Sequence, residues 1–255
     1  MIAAVWAWLT SPQHWAGNDG IATRIGEHLL FTAVTIAVAA AVALPVGLWV
    51  GHRGRGQWIV GSANAVRAVP SLGLLFAVAM WLGSRLPGDA AFLVPSLLAL
   101  VVLAIPPLLS GTYAGVESVD AAARDAARGM GMTATQVLWR VEFPCALPLL
   151  LSGLRSATLQ VIATATIASF ISLGGLGVFL VDGLASGDYP QMAGGAILVA
   201  ALALTVDIAL AGVSRLLVSP GLTDAAPTRS RRSTDSTAVG ANPPTAAPAA
   251  RRAAT

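Results

Sequence analysis

Few side chains in this sequence could do chemistry, and their surroundings limit what chemistry that is. Its three histidines, His14, His28 and His52, fall at the edges of apolar runs or in loops, and its single cysteine, Cys145, stands between Pro144 and Ala146. There is no His-Glu-x-x-His pair for zinc, no glycine-rich phosphate loop and no Gly-x-Ser-x-Gly nucleophile turn. One thiol closes no disulfide within the chain, and no metal cluster is expected. Two charges, Arg67 and Asp207, lie inside strongly apolar stretches. A charge in such a place is costly and usually faces the protein interior, so each marks either a substrate route or a structural pairing. Asp207, about midway along its run, needs a polar partner, whereas Arg67, just before Pro70, can reach an aqueous edge. An intramembrane enzyme would need paired acid and base groups, and these two charges do not supply them. These residues offer no catalytic constellation, and the two charges leave a solute's route and a structural pairing both open.

Proline placement points the same way. Pro70 and Pro106-Pro107 fall inside apolar runs and are expected to break or sharply bend them. Non-helical backbone at membrane depth survives only beside a water-filled cavity or buried in protein. Such breaks therefore read as the lining of a path, to which Ser71, Ser110 and Thr112 would offer hydroxyls, or as plain kinks.

The elements that carry these residues are set by composition. Of 255 residues, 56% are hydrophobic and 11% charged, against about 45–50% and about 25% in soluble domains. A soluble fold could not hide that apolar surface, so the bilayer is the solvent. The expected fold is all-α and polytopic, with five spans. These cover about residues 29–50, bent near Pro45 and Gly47; 58–83, interrupted at 67–71; 92–113; 147–172, ending in Gly174-Gly175-Leu176-Gly177; and 192–217. Residues 1–24, with Trp6, Trp8 and Trp15, read as an interfacial segment. Residues 25–218 form the membrane domain, with a polar loop at 117–148. Residues 219–255, rich in Ala, Pro, Thr, Ser and Arg, read as a disordered cytoplasmic tail.

All 15 basic residues are arginine. Arg53, Arg55, Arg124, Arg128, Arg140 and Arg215 fall on the side of the 117–148 loop, with Arg155 able to snorkel there. Only Arg24 and Arg85 fall on the other. Positive residues favour the cytoplasm, which puts the N-terminus outside and the C-terminus inside.

The polar loop is the least hydrophobic internal stretch. Glu117, Asp120, Arg124 and Arg128 recur at helical spacing on one face, while Ala122, Ala123, Ala126, Ala127 and Met130 make a smooth opposite face. Gly129 and Gly131 end that helix. Thr133 and Gln136 form a capping box for a second short helix, which Pro144 and Pro148 are expected to close. The product is a helix–turn–helix suited to docking on a partner.

This segment carries a resemblance. Asp125-Ala126-Ala127, three residues, Gly131, nine residues, then Val141-Glu142-Phe143-Pro144 resembles the EAA loop of permease subunits of bacterial binding-protein-dependent (MetI-like) ABC importers. That loop reads Glu-Ala-Ala, Gly, Ile-x-Leu-Pro at the same spacing. Ala68-Val69-Pro70-Ser71 resembles the Thr-Ile-Pro-Ser element of osmoprotectant permeases. Thr164 to Ile171 with Gly174 to Gly177 is similar to their fourth span and following loop. Arg67-Ala68 departs from the Gln-Thr that is common there.

The resemblance implies a type I ABC importer permease fold at the cell membrane. It makes Asp125, Ala126, Ala127, Gly131, Val141, Phe143 and Pro144 the ATPase-coupling residues. Arg67, Pro70, Ser71, Pro106, Pro107, Ser110 and Thr164 become the expected translocation path. It also implies no cofactor of the chain's own, ATP being bound and hydrolysed by a partner subunit. The implied partners are an ABC ATP-binding subunit, an extracytoplasmic substrate-binding protein, a second permease copy or a related permease, and lipid, with no nucleic acid. The implied cargo is glycine betaine, choline or another quaternary amine. The alternatives are an amino acid such as methionine or, in a different class, a stand-alone secondary transporter. The latter would show inverted repeats or several intramembrane ionisable groups, and neither is found.

Overall fold

A computed structural model describes residues 1–218; the expected tail at 219–255 lies outside the described residues. Ten helices follow one another: α1 (Ile2–Thr10), α2 (Ile21–Arg53), α3 (Gln57–Ala65), α4 (Ser71–Gly83), α5 (Ala90–Glu117), α6 (Ala121–Gly129), α7 (Ala134–Val137), α8 (Phe143–Ala168), α9 (Gly177–Ser186) and α10 (Tyr189–Leu217). By length and composition α2, α5, α10 and the helical run Ala134–Ile171 can each cross a bilayer, and α3–α4 makes a fifth, broken span. The all-α, five-span architecture is as expected.

The second span breaks where the sequence places Pro70. One 3-10 turn, Val66–Ala68, ends α3, Val69 is extended at φ −76° and ψ 129°, and α4 starts after Pro70. Proline forces its predecessor out of the helical region and offers no amide hydrogen, so the axis turns by 94°.

Pro106 and Pro107 behave otherwise: α5 runs unbroken from Ala90 to Glu117 with both inside it. The absent amide of Pro107 should orphan the carbonyl of Leu103, four residues back. Gln160 on α8 donates its side-chain N–H to that oxygen at 3.2 Å. A neighbouring helix thus restores the lost bond, as intramembrane prolines require. Pro45 likewise stays inside an unbroken α2.

The second helix of the polar loop does not close at Pro144 or Pro148. The capping box at Thr133 and Gln136 forms as expected, but α7 continues through one π-helical turn, Leu138–Glu142, into α8. Pro144 falls in the first turn of α8, where its missing amide matters least; Pro148 is carried inside the helix.

At the centre, α5 packs between α2 and α8. Both contacts use glycines four apart. A Cβ on Gly47 or Gly51 of α2 would come within 2.8 Å of Thr112 or 2.7 Å of Val116. One on Gly111 would lie 2.7 Å from Gly153 Cα of α8, and one on Gly115 would lie 2.7 Å from the carbonyl oxygen of Ala146. Without hydrophobic drive between helices in lipid, such close backbone approach supplies the dispersion energy that holds them.

The N-terminal segment is a packed element. Trp8 lies against Gly194 of α10 and meets Phe179 of α9 edge-on at 5.3 Å. The expected boundary at residue 24 falls inside α2, which begins at Ile21. Beyond Gly195 no residue of α10 is buried, so most of this helix lies at the periphery of the bundle.

Candidate functional site

The polar loop lies at one end of the helix bundle. Asp120 caps α6 by accepting the amide hydrogen of Ala122 at 2.9 Å. The helix ends at Gly129, and Gly131 turns the chain at φ +82°. α6 exposes Ala122, Ala123, Asp125 and Ala126 and buries only Ala127. Met130, just past its end, is 72% exposed. The motif residues therefore divide into two sets. Asp125, Ala126 and Gly131 face outward, whereas Ala127, Val141, Phe143 and Pro144 are buried or half-buried. Phe143 packs on a cluster of Leu48, Val116 and Ala146 at the base of the loop.

Arg124 is set apart from Asp120 and Arg128, exposed residues of its polar face. Its guanidinium turns inward, donates to the carbonyl of Val116 at the end of α5 and places Nε 3.0 Å from Oε1 of Glu142. Glu142 is fully buried, and its other oxygen, Oε2, accepts from Nδ1–H of His52 at 2.6 Å. A buried carboxylate needs such partners, since leaving one unpaired costs several kcal/mol. Sequence reasoning missed this cluster. The one signal was a carboxylate at Glu142 in an otherwise apolar motif, and nothing local names its partners. Beside it a cavity of about 620 Å³ opens between α2 and α7, lined by Pro45, Trp49, His52, Leu138 and Trp139 among others.

The residues expected on the path are not gathered into one cavity. Arg67, Val69 and Pro70 are exposed at the bend, with Ser71 half-buried beside them. Ser110 donates to Asn64 Oδ1 at 3.1 Å, tying α5 to α3; Asn64 was not singled out in the sequence. Pro106 and Pro107 are buried within the bundle. Thr112 and Thr164 are buried, and their hydroxyls bond the carbonyls of Leu108 and Gln160 in their own helices. Each hydroxyl spends its hydrogen on the backbone of its own helix.

Asp207 finds the polar partner its position demands. Arg155 grips it with two hydrogen bonds, Nε to Oδ1 and Nη2 to Oδ2, the latter at 2.5 Å. Arg155 thus joins α8 to α10 and does not snorkel to the loop side. At the opposite end of the bundle, Glu27 Oε2 accepts the amide hydrogen of Gly175 at 2.9 Å. His28 Nδ1 accepts that of Leu176 at 3.3 Å, which leaves Nε2–H to donate to the carbonyl of Ile162 at 3.1 Å. Among the described residues no group of three or more His, Cys, Asp or Glu is placed to hold a metal ion.

This chain has relatives along most of its length. The profile of a family described as binding-protein-dependent transport system inner membrane component matches residues 43–223. The glycine betaine/carnitine/choline transport system permease protein OpuCB of Bacillus subtilis (strain 168) is 32% identical over 200 residues, covering 78% of this chain and 89% of that protein. The osmoprotectant import permease protein OsmW of Salmonella typhimurium is 30% identical, covering 79% and 94%. Among solved structures, an inward-facing form of the MetNI methionine ABC transporter aligns with a TM-score of 0.67 at 22% identity, covering 78% of this chain and 96% of that one; this likeness concerns the fold. With the helical bundle and the polar loop in place, the chain belongs to the family of binding-protein-dependent transport system inner membrane components, the permease subunits of ABC importers.

Proposed function

We propose that this permease subunit carries small osmoprotectants of the glycine betaine, carnitine and choline class into the cell. The carrying observation is the alignment with permeases named for these solutes, which spans nearly their whole length. Sites for quaternary ammonium groups normally use clustered aromatic faces. Phe76, Trp81 and Phe170 are scattered and exposed in this chain. Selection therefore resides in an external substrate-binding protein, and the permease offers a route for a zwitterion or monovalent cation. That route follows the α3–α4 bend at Arg67, Pro70 and Ser71 and the adjoining Ser110 of α5. Pro106, Pro107 and Thr164 support it from behind.

The loop at 117–148 is the lever in this reading. The exposed face of Ala122, Asp125, Ala126 and Met130 seats in a cleft of a cytoplasmic ABC ATPase, with a second permease beside it. The loop end is cytoplasmic, and the end holding Arg24 and Gly175 faces outward. ATP is bound and hydrolysed by the partner, whose closure pushes on α6.

The test is competition uptake with the complete transporter in cells, using labelled glycine betaine and excess choline, carnitine or methionine. Competition by the quaternary amines alone is expected. Competition by methionine alone would sink the osmoprotectant reading.

A further inference from the structure

Side-chain packing ties the coupling helix to the bundle weakly. Of its nine residues only Ala127 is buried, and turns flank it at Ser118–Val119 and Met130–Gly131. Pushing on a helix so loosely packed would move the helix alone. The buried carboxylate of Glu142 changes this. It stands in the π-turn that leads into α8, touches His52 in the last turn of α2 and faces Arg124 of α6. Arg124 in turn holds the last turn of α5 through Val116. Four elements thus converge on one ionic node around a buried carboxylate.

The two halves of the node differ in kind. The His52 contact is a short directed hydrogen bond. Across the 3.0 Å between Arg124 Nε and Glu142 Oε1, neither atom has an aligned hydrogen-bond partner. Coulomb attraction holds that half, and it falls gradually with distance and does not depend on angle. Together with the bond from Arg124 to Val116, it keeps α6 tied to the ends of α5 and α8. Separation would strand a carboxylate without water, the costly outcome for a buried charge.

We propose that the Arg124–Glu142–His52 node is the joint through which displacement of the coupling helix reaches α2, α5 and α8, with Glu142 and His52 as positioning residues for transport. This rests on the reading of α6 as the ATPase-coupling helix.

The test uses the whole transporter, reconstituted in liposomes with its ATPase and binding protein and the solute established by the competition assay. Solute transported per ATP hydrolysed is measured alongside ATPase retention on purification. Glu142→Gln and His52→Ala should keep the ATPase bound and hydrolysing, while transport per ATP falls about tenfold, within the range that one coupling contact commands. His52→Asn, which retains a donor near the position of Nδ1, should recover most of it. Proportional loss of transport and hydrolysis, or no loss of either, in an assembled Glu142→Gln transporter would overturn the node. If Glu142→Gln does not assemble, the His52→Ala and His52→Asn pair decides: equal transport per ATP in the two overturns it. Asp125→Arg, on the exposed face, runs in parallel. If it leaves ATPase binding intact, the coupling reading itself fails; if it releases the ATPase while Glu142→Gln stays coupled, only the node fails.

Discussion

Gly131 makes the turn between α6 and α7 at φ +82°, with open space where a Cβ would stand. A side chain there meets no neighbour, but the left-handed backbone costs an L-residue about 1–2 kcal/mol. Gly131→Leu should therefore leave the spans inserted, tilt α6 and weaken ATPase retention several-fold, read by co-purification; retention and uptake at the wild-type level would refute a coupling role. Asp207 makes a different argument. Its carboxylate is the partner of Arg155, and Asp207→Asn leaves that guanidinium unbalanced at membrane depth. The unfolding midpoint in detergent should drop by a few degrees, and Arg155→Gln added to it should restore most of the loss. A double variant no better than the single would show that the pair does not act as a unit.

At the scale of elements, α5 depends on its neighbours for continuity. Gln160→Leu removes the donor that satisfies Leu103 beside Pro107, with an expected loss of about 1 kcal/mol. Adding Pro107→Ala returns the amide to the helix and should cancel the effect; persistence of the full loss would show that Gln160 acts elsewhere. The glycine contacts are less forgiving. Gly111→Leu places a side chain where backbone of α8 already lies, and neither helix backbone can yield as a flexible side chain would. Little monodisperse protein should be recovered from detergent, whereas Gly61→Leu, on an open face of α3, should purify normally.

In the whole molecule, charge separates along the bundle. Arg53, Arg124, Arg140 and Glu142 gather at the loop end, and Arg24, Glu27 and Arg85 at the other. The fold fixes which residues share an end, and the orientation proposed from the arginine count puts the loop end in the cytoplasm. In a Cys145→Ala background, cysteines at Ser84 and Ser186 should react with an impermeant thiol reagent in intact cells, and one at Ser118 only after the membrane is opened. Each of these serines is exposed, so accessibility reports sidedness. Labelling of Ser118 from outside would invert the assignment.

The sequence by itself determined that the chain crosses a bilayer about five times. It also determined the break at Pro70, the capping box at Thr133 and Gln136 and the spacing that points to an importer permease. These are local or compositional properties: an apolar run needs lipid wherever it goes, and a proline excludes its own amide. Whether a proline breaks its helix is not local. At Pro70 the carbonyl four residues back, Val66, takes the amide of Val69 in a 3-10 turn and the chain bends, while Pro107 is compensated by Gln160, on another helix and donating across 57 positions. The same limit hid the node at Glu142, whose partner His52 lies 90 residues away, and hid the inward turn of Arg124. Helical spacing tells which residues share a face but not which face turns inward. Only the packing of α5 between α2 and α8 decided that, because an unpaired carbonyl or carboxylate takes whichever donor the fold brings within reach.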